Sequence, residues 1–154
     1  MKVNFNHITN TYASDLAGKT LYDYNDHVEF YAYAYVSWNI SKSINENKYH
    51  EIGAYGDWVS SIVAVGEETI CFCFLNAMTG EPVRQLVIPF VFFDKMILVD
   101  ANMENTIKIR FNEVDSIIVR IPRNATGTLL KNQNGMRKRI MDALETMNRR
   151  RNRG

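Results

Sequence analysis

Long apolar runs are missing from this chain. No stretch of about 18 apolar residues occurs that could cross a bilayer as a helix, and the run Phe90-Val91-Phe92-Phe93 is closed at once by Asp94-Lys95. No membrane partner is expected. The start, Met1-Lys2-Val3-Asn4-Phe5-Asn6-His7, lacks the apolar segment of a secretory leader, so a cytoplasmic product is expected.

Cysteine is nearly absent. Cys71 and Cys73 stand two apart, which on a strand puts both on one face. They read as two small buried apolar residues, because a reducing compartment disfavours a disulfide and two thiolates do not close a zinc site. Histidine is equally sparse. His7, His27 and His50 are dispersed, and His27 with Glu29 or His50 with Glu51 forms a near pair without the H-E-x-x-H spacing of a metal helix. His7-Ile8-Thr9 has the shape of one half of the paired motif of two-histidine phosphodiesterases, but no second copy follows.

Catalytic and nucleotide-binding signatures are also missing. There is no Gly-x-Ser-x-Gly, and Gly53-Ala54-Tyr55-Gly56-Asp57 is a loop with two glycines rather than a phosphate-binding loop. The expectation is therefore a protein without cofactor or metal that leans away from enzymes. Active sites assembled from scattered residues leave no local trace, so catalysis is not excluded.

What is present is a β pattern. From Val28 to Ile121 the apolar residues mostly alternate, the mark of strands with two different faces. Val28–Trp38, Trp58–Val65, Thr69–Leu75, Val83–Ile88, Phe90–Phe93 with Met96–Val99, Thr106–Phe111 and Ser116–Ile121 are predicted strands, all rich in Val, Ile, Tyr and Phe. Their separators, among them Gly66-Glu67-Glu68 and Asn112-Glu113-Val114-Asp115, are too short for helical crossovers, so antiparallel hairpins follow. Pro89 donates no ladder hydrogen bond and predicts a bend or edge. The segments His7–His27 and Ile40–Gly56 have no clear period, and either can hold a short helix.

The C-terminal segment changes period. Met136, Ile140, Leu144 and Met147 line one face of a helix. Asn134 is the expected cap with Gly135 in the first turn, which puts Arg137, Lys138 and Arg139 where the helix dipole disfavours them. A start at Thr126 or Thr128 would instead place them mid-helix. The fold class expected is α+β, mainly β: an antiparallel sheet, as a sandwich or partly open barrel, with a C-terminal amphipathic helix. Residues 1–130 form the β-rich body, and residues 131–154 a basic helix and Arg-rich tail on the same domain.

Charge is split along the chain. Residues 131–154 carry 8 Lys/Arg against 2 Asp/Glu, whereas residues 1–130 carry 10 against 15. The basic group is Arg137, Lys138 and Arg139, then Arg149, Arg150, Arg151 and Arg153. Arginine forks match phosphate, so RNA or DNA is the expected partner, with an acidic protein surface or assembly neighbour as the alternative. Tyr31, Tyr33 and Tyr35 share a strand face and supply either a base-stacking platform or a protein interface. A homo-oligomer is compatible with the second use. Residues of AT-rich codons (Phe, Tyr, Met, Ile, Asn, Lys) outnumber Gly, Ala, Arg and Pro, which fits a phage or viral gene. The sequence thus suggests a small non-enzymatic protein that contacts nucleic acid or a nucleoprotein assembly through its basic end. A virion or ring subunit, or an inhibitor of a host enzyme, is the other reading.

Overall fold

A computed structural model describes residues 5–39, 58–92, 95–101, 104–110 and 116–153. The elements are α1 (Asn10–Tyr22), β1 (Phe30–Asn39), β2 (Val59–Val65), β3 (Thr69–Leu75), β4 (Pro82–Pro89), a 3-10 turn (Phe90–Phe92), β5 (Lys95–Ala101), β6 (Glu104–Arg110), β7 (Ser116–Ile121) and α2 (Gln133–Arg153). All neighbouring strands are antiparallel, in the order β4-β3-β2-β1-β7-β6-β5, so β1 is central and β4 and β5 are the edges.

Covalent geometry forces this sheet to curl. Pro89 ends one edge strand and Lys95 opens the other. Six residues span at most about 21 Å, yet a flat seven-stranded sheet measures about 29 Å across before any offset along the strands. The sheet is therefore an open, curved one. The segment predicted as the strand Phe90–Phe93 is different: Phe90–Phe92 forms the 3-10 turn. Pro89 cannot continue the ladder, the Phe90 N–H donates to the Glu68 carbonyl (2.9 Å), and the Phe90 side chain drops into the core.

Both faces of the central strands are buried. The inner face holds Ala32, Ala34, Val63, Phe72, Phe74 and Val119, closed by Ile140 and Leu144 of α2. On the outer face, Tyr33, Ile62, Ala64, Cys71 and Cys73 pack under Ile8, Ala13, Ala17 and Leu21. This explains why β3, Thr-Ile-Cys-Phe-Cys-Phe-Leu, is apolar almost throughout and buried at every position. The segment His7–His27 does hold a helix. Thr9 caps α1 by accepting the Tyr12 N–H at 3.2 Å, and its buried stripe of Ala13, Ala17, Thr20 and Leu21 is small enough to lie close on the sheet.

Two side-chain amides fix the layers to each other. In the β1–β7 register Tyr35 faces Arg120, so the residue opposite Tyr33 is Pro122, which has no N–H to give. Gln133 fills that gap. Its Oε1 accepts the Tyr33 N–H (3.0 Å), and its Nε2 donates to the carbonyls of Tyr33 (2.7 Å) and Pro122 (3.0 Å). Asn10 does the same for Lys131, accepting its N–H at 2.7 Å and donating to its carbonyl at 2.8 Å. The N-terminal segment joins in through a parallel bridge, Phe5 with Thr128, and through the Leu129 N–H to the Ile8 carbonyl (3.0 Å).

These contacts decide where α2 begins. It starts at Gln133, after Asn132 in the left-handed region (φ 62°), rather than at an Asn134 cap or back at Thr126 or Thr128. Asn tolerates that conformation. A side chain on Gly135 would collide with the Asn132 amide, which accounts for the glycine in the first turn.

Asp26 is the second anchor. Its carboxylate accepts the N–H groups of His27 (2.8 Å), Glu67 (3.0 Å) and Glu68 (3.0 Å) and the Thr69 hydroxyl (2.7 Å), tying the β2–β3 turn to the segment before β1. Gly66 is required there, because any Cβ would strike the Asp26 carboxylate. Burial alone would raise the Asp26 pKa, but the hydrogen bonds from Thr69, Glu68, His27 and Glu67 outweigh it and hold the group below its ordinary value of 3.8.

Two outcomes follow. Gln133→Ala leaves three backbone groups of Tyr33 and Pro122 without partners and should destabilise the fold by about 2–4 kcal/mol in urea titration, whereas the more exposed Asn10→Ala should cost about 0.5–1.5 kcal/mol. Because the folded Asp26 pKa is lowered, its stabilisation is complete above pH 3.8 and is lost as pH falls through the folded value. The denaturation midpoint of the wild type should fall across that acid window more steeply than that of Asp26→Asn.

Candidate functional site

The basic residues sit on α2, whose apolar stripe follows the predicted spacing. Ile140 and Leu144 are buried, and Met136 and Met147 pack at their margin against the inner face of the sheet. Lys138, Arg139, Arg149 and Arg150 are all exposed, Lys138 and Arg149 opposite that stripe and Arg139 and Arg150 on its flank beside the cleft. Lys138 with Arg149, and Arg139 with Arg150, are each eleven residues apart, so each pair is aligned along the helix about 16 Å apart, the two rows a quarter-turn or so from each other. Asp142 and Glu145 lie between them, and Glu145 is 3.9 Å from Arg149 in the expected i, i+4 pair.

Arg137 does not belong to this face. It is 3 % exposed, and its Nε and Nη2 donate to Asn134 Oδ1 at 3.0 and 2.6 Å. The reason is positional: Arg137, Ile140 and Leu144 follow the i, i+3, i+7 spacing of the buried stripe. A buried guanidinium offers no fork to a phosphate. The run 149–153 is also not a free tail, because α2 continues to Arg153. Arginine is a good helix former, and cations near a helix C-terminus oppose the dipole favourably. The side chains of Arg151 and Arg153 lie outside the described residues.

Beside α2 runs a cleft of about 680 Å³. Phe30, Phe90 and Met147 are among its apolar lining, and its charged lining is Arg139, Asp142 and Arg150 of α2 with Glu29 and Glu67. The Arg139 guanidinium stands 5.9 Å from the centre of the Phe30 ring.

The tyrosine ladder is on the outer face, under the N-terminal segment. Tyr33 is 3 % exposed, so its ring has no face for a base, and its hydroxyl pKa is raised by that burial. Tyr35 meets Tyr33 edge-on with centroids 5.5 Å apart, and the Tyr31 hydroxyl accepts a hydrogen bond from Asn10 Nδ2 at 3.1 Å. Tyr33 therefore packs within the fold, whereas Tyr31 and Tyr35 are half-buried at its margin. On the same strand face, Arg120 lies opposite Tyr35 and stacks 4.9 Å over the Trp58 ring.

Cys71 and Cys73 are free, buried thiols. The hydrogen bond to Cys73, with burial, holds Cys71 well above the usual thiol range, and Cys73 also meets the Thr20 hydroxyl at 3.5 Å. They are structural groups rather than nucleophiles.

One cluster was not legible as a unit in the sequence. Among the described residues, donor atoms of His27, Glu29 and Glu67 lie within 4.8 Å of one another. His27 Nε2 is 2.8 Å from Glu29 Oε1 and 3.8 Å from Glu67 Oε1, and all three side chains are exposed. The hydrogen bond that His27 donates to the Glu29 carboxylate raises the His27 pKa. His27 and Glu29 are a visible pair, but Glu67 arrives from the β2–β3 turn.

Among the described residues no helix is long and apolar enough to cross a membrane. No protein-family profile matches the chain, and no curated protein matches it. Among solved structures it is similar to the C-terminal domain of an unknown protein from Leishmania infantum, at 13% identity over 69% of this chain and 81% of that one, with a TM-score of 0.42.

Proposed function

We propose that this is a small non-enzymatic protein that binds nucleic acid through the outer face of α2. The observation that carries the reading is the pair of exposed cation rows, Lys138 with Arg149 and Arg139 with Arg150, opposite and beside a stripe whose burial fixes the helix. Arginine and lysine at this density on one helix neutralise successive phosphates and release their counterions. The bias toward AT-codon residues fits a phage or viral gene, and the host cytoplasm is then the place of action.

A second reading rests on a specific feature of the same face. Asp142 lies between the cation rows and Glu145 pairs with Arg149, so the surface is mixed in sign. An acidic protein neighbour in an assembly suits such a surface better than a continuous phosphate backbone does.

Salt titration of binding to a fluorescent single-stranded oligonucleotide separates the two. Four neutralised phosphates predict a log–log slope of about −3, and Arg149→Ala with Arg150→Ala should reduce its magnitude by about 1.4. Arg137→Ala should lower stability by about 1–3 kcal/mol while leaving the slope unchanged. No binding at low salt, or a slope indifferent to Arg149 and Arg150, overturns the nucleic-acid reading. A stable oligomer by light scattering that ignores the oligonucleotide supports the protein neighbour.

A further inference from the structure

His27 and Glu29, on the approach to β1, and Glu67, in the β2–β3 turn, bring one imidazole nitrogen and two carboxylates together at the surface. The imidazole Nε2 is 2.8 Å from a Glu29 carboxylate oxygen, within hydrogen-bond reach, and 3.8 Å from one of Glu67. Asp26 adds a third carboxylate, 3.9 Å from the other ring nitrogen. Three acids therefore surround one imidazole, and Arg139 and Arg150 of α2 line the same cleft as Glu29 and Glu67.

The donor set suits a metal ion. Imidazole nitrogen and carboxylate oxygen bind zinc-class ions at about 2.0–2.2 Å, and small rotations of exposed carboxylates bring three atoms within 4.8 Å onto such a sphere. One nitrogen with two carboxylates suits zinc or manganese rather than calcium, which asks for six to eight oxygens. The backbone beneath is already fixed, because Asp26 accepts the N–H groups of both His27 and Glu67. Two of the three donors, Glu29 and Glu67, also line the cleft of about 680 Å³ beside Arg139 and Arg150. An ion there would keep open coordination positions at the edge of a cavity that holds two anion-binding side chains.

We propose that His27, Glu29 and Glu67 form a binding site for one divalent transition-metal ion of the zinc or manganese class at the edge of the α2 cleft. The site uses no residue of α2, so it stands or falls independently of nucleic-acid binding.

Calorimetric titration of Zn²⁺ into the metal-free full-length chain at neutral pH tests it. One ion per chain is expected, with binding weakened by more than the roughly tenfold that loss of even an outer-shell partner costs, both by Glu67→Gln and by His27→Ala. His7→Ala should leave binding unchanged, and circular dichroism should show the same fold in all variants. Mn²⁺ added in place of Zn²⁺ should lose its free-ion electron spin resonance signal on mixing with the wild type and keep it with Glu67→Gln. Absence of binding at millimolar Zn²⁺, or binding that survives both Glu67→Gln and His27→Ala, overturns the proposal.

Discussion

The fold depends on a gap in its central ladder. Tyr33 lies within β1 opposite Pro122, which has no N–H to donate to the Tyr33 carbonyl. An unpaired buried peptide costs about 1–3 kcal/mol for each group left without a partner, so a buried side chain that restores three bonds there is a strong local constraint. Gln133 is that side chain, and it is also the first residue of α2. One amide therefore completes the sheet and fixes where the C-terminal helix begins. The consequence is rotational: once Gln133 is fixed, Ile140 and Leu144 enter the curved sheet and Lys138, Arg139, Arg149 and Arg150 turn outward.

The N-terminal segment works to the same end from the other side. Asn10 holds Lys131, two residues before Gln133, and also donates to the Tyr31 hydroxyl. α1 thereby covers the outer face of β1–β3 and fastens the chain just ahead of α2. With this two-sided burial Tyr33 becomes part of the core, and Tyr31 and Tyr35 are left half-buried beside it. At the far end of α1, Asp26 draws the β2–β3 turn against the approach to β1. The same carboxylate thus closes the fold and places His27 beside Glu67.

What could be read in the sequence was what depends on near neighbours. Alternation marked the strands, and the spacing of Met136, Ile140, Leu144 and Met147 marked α2. Pro89 did end a strand, as its missing N–H requires. α1 was harder because its buried stripe is built from Ala13, Ala17 and Thr20, which carry little hydrophobic contrast. Arg137 was grouped with its neighbours by charge, although its spacing to Ile140 and Leu144 already placed it on the buried stripe. Gln133 gave no sign, since its partner Tyr33 is 100 residues away. The His27, Glu29 and Glu67 cluster was hidden for the same reason: a hairpin turn supplies its third member.

The central claim is that α2 is docked so that one arginine is spent on the fold while its neighbours are left for a polyanion. NMR of the arginine side-chain Nε–Hε groups during titration with a single-stranded oligonucleotide tests it directly. The account predicts that the Arg139, Arg149 and Arg150 signals shift together while that of Arg137 stays in place. Exposed arginine signals that do not move at saturating oligonucleotide, or an Arg137 signal that shifts with them, would contradict it.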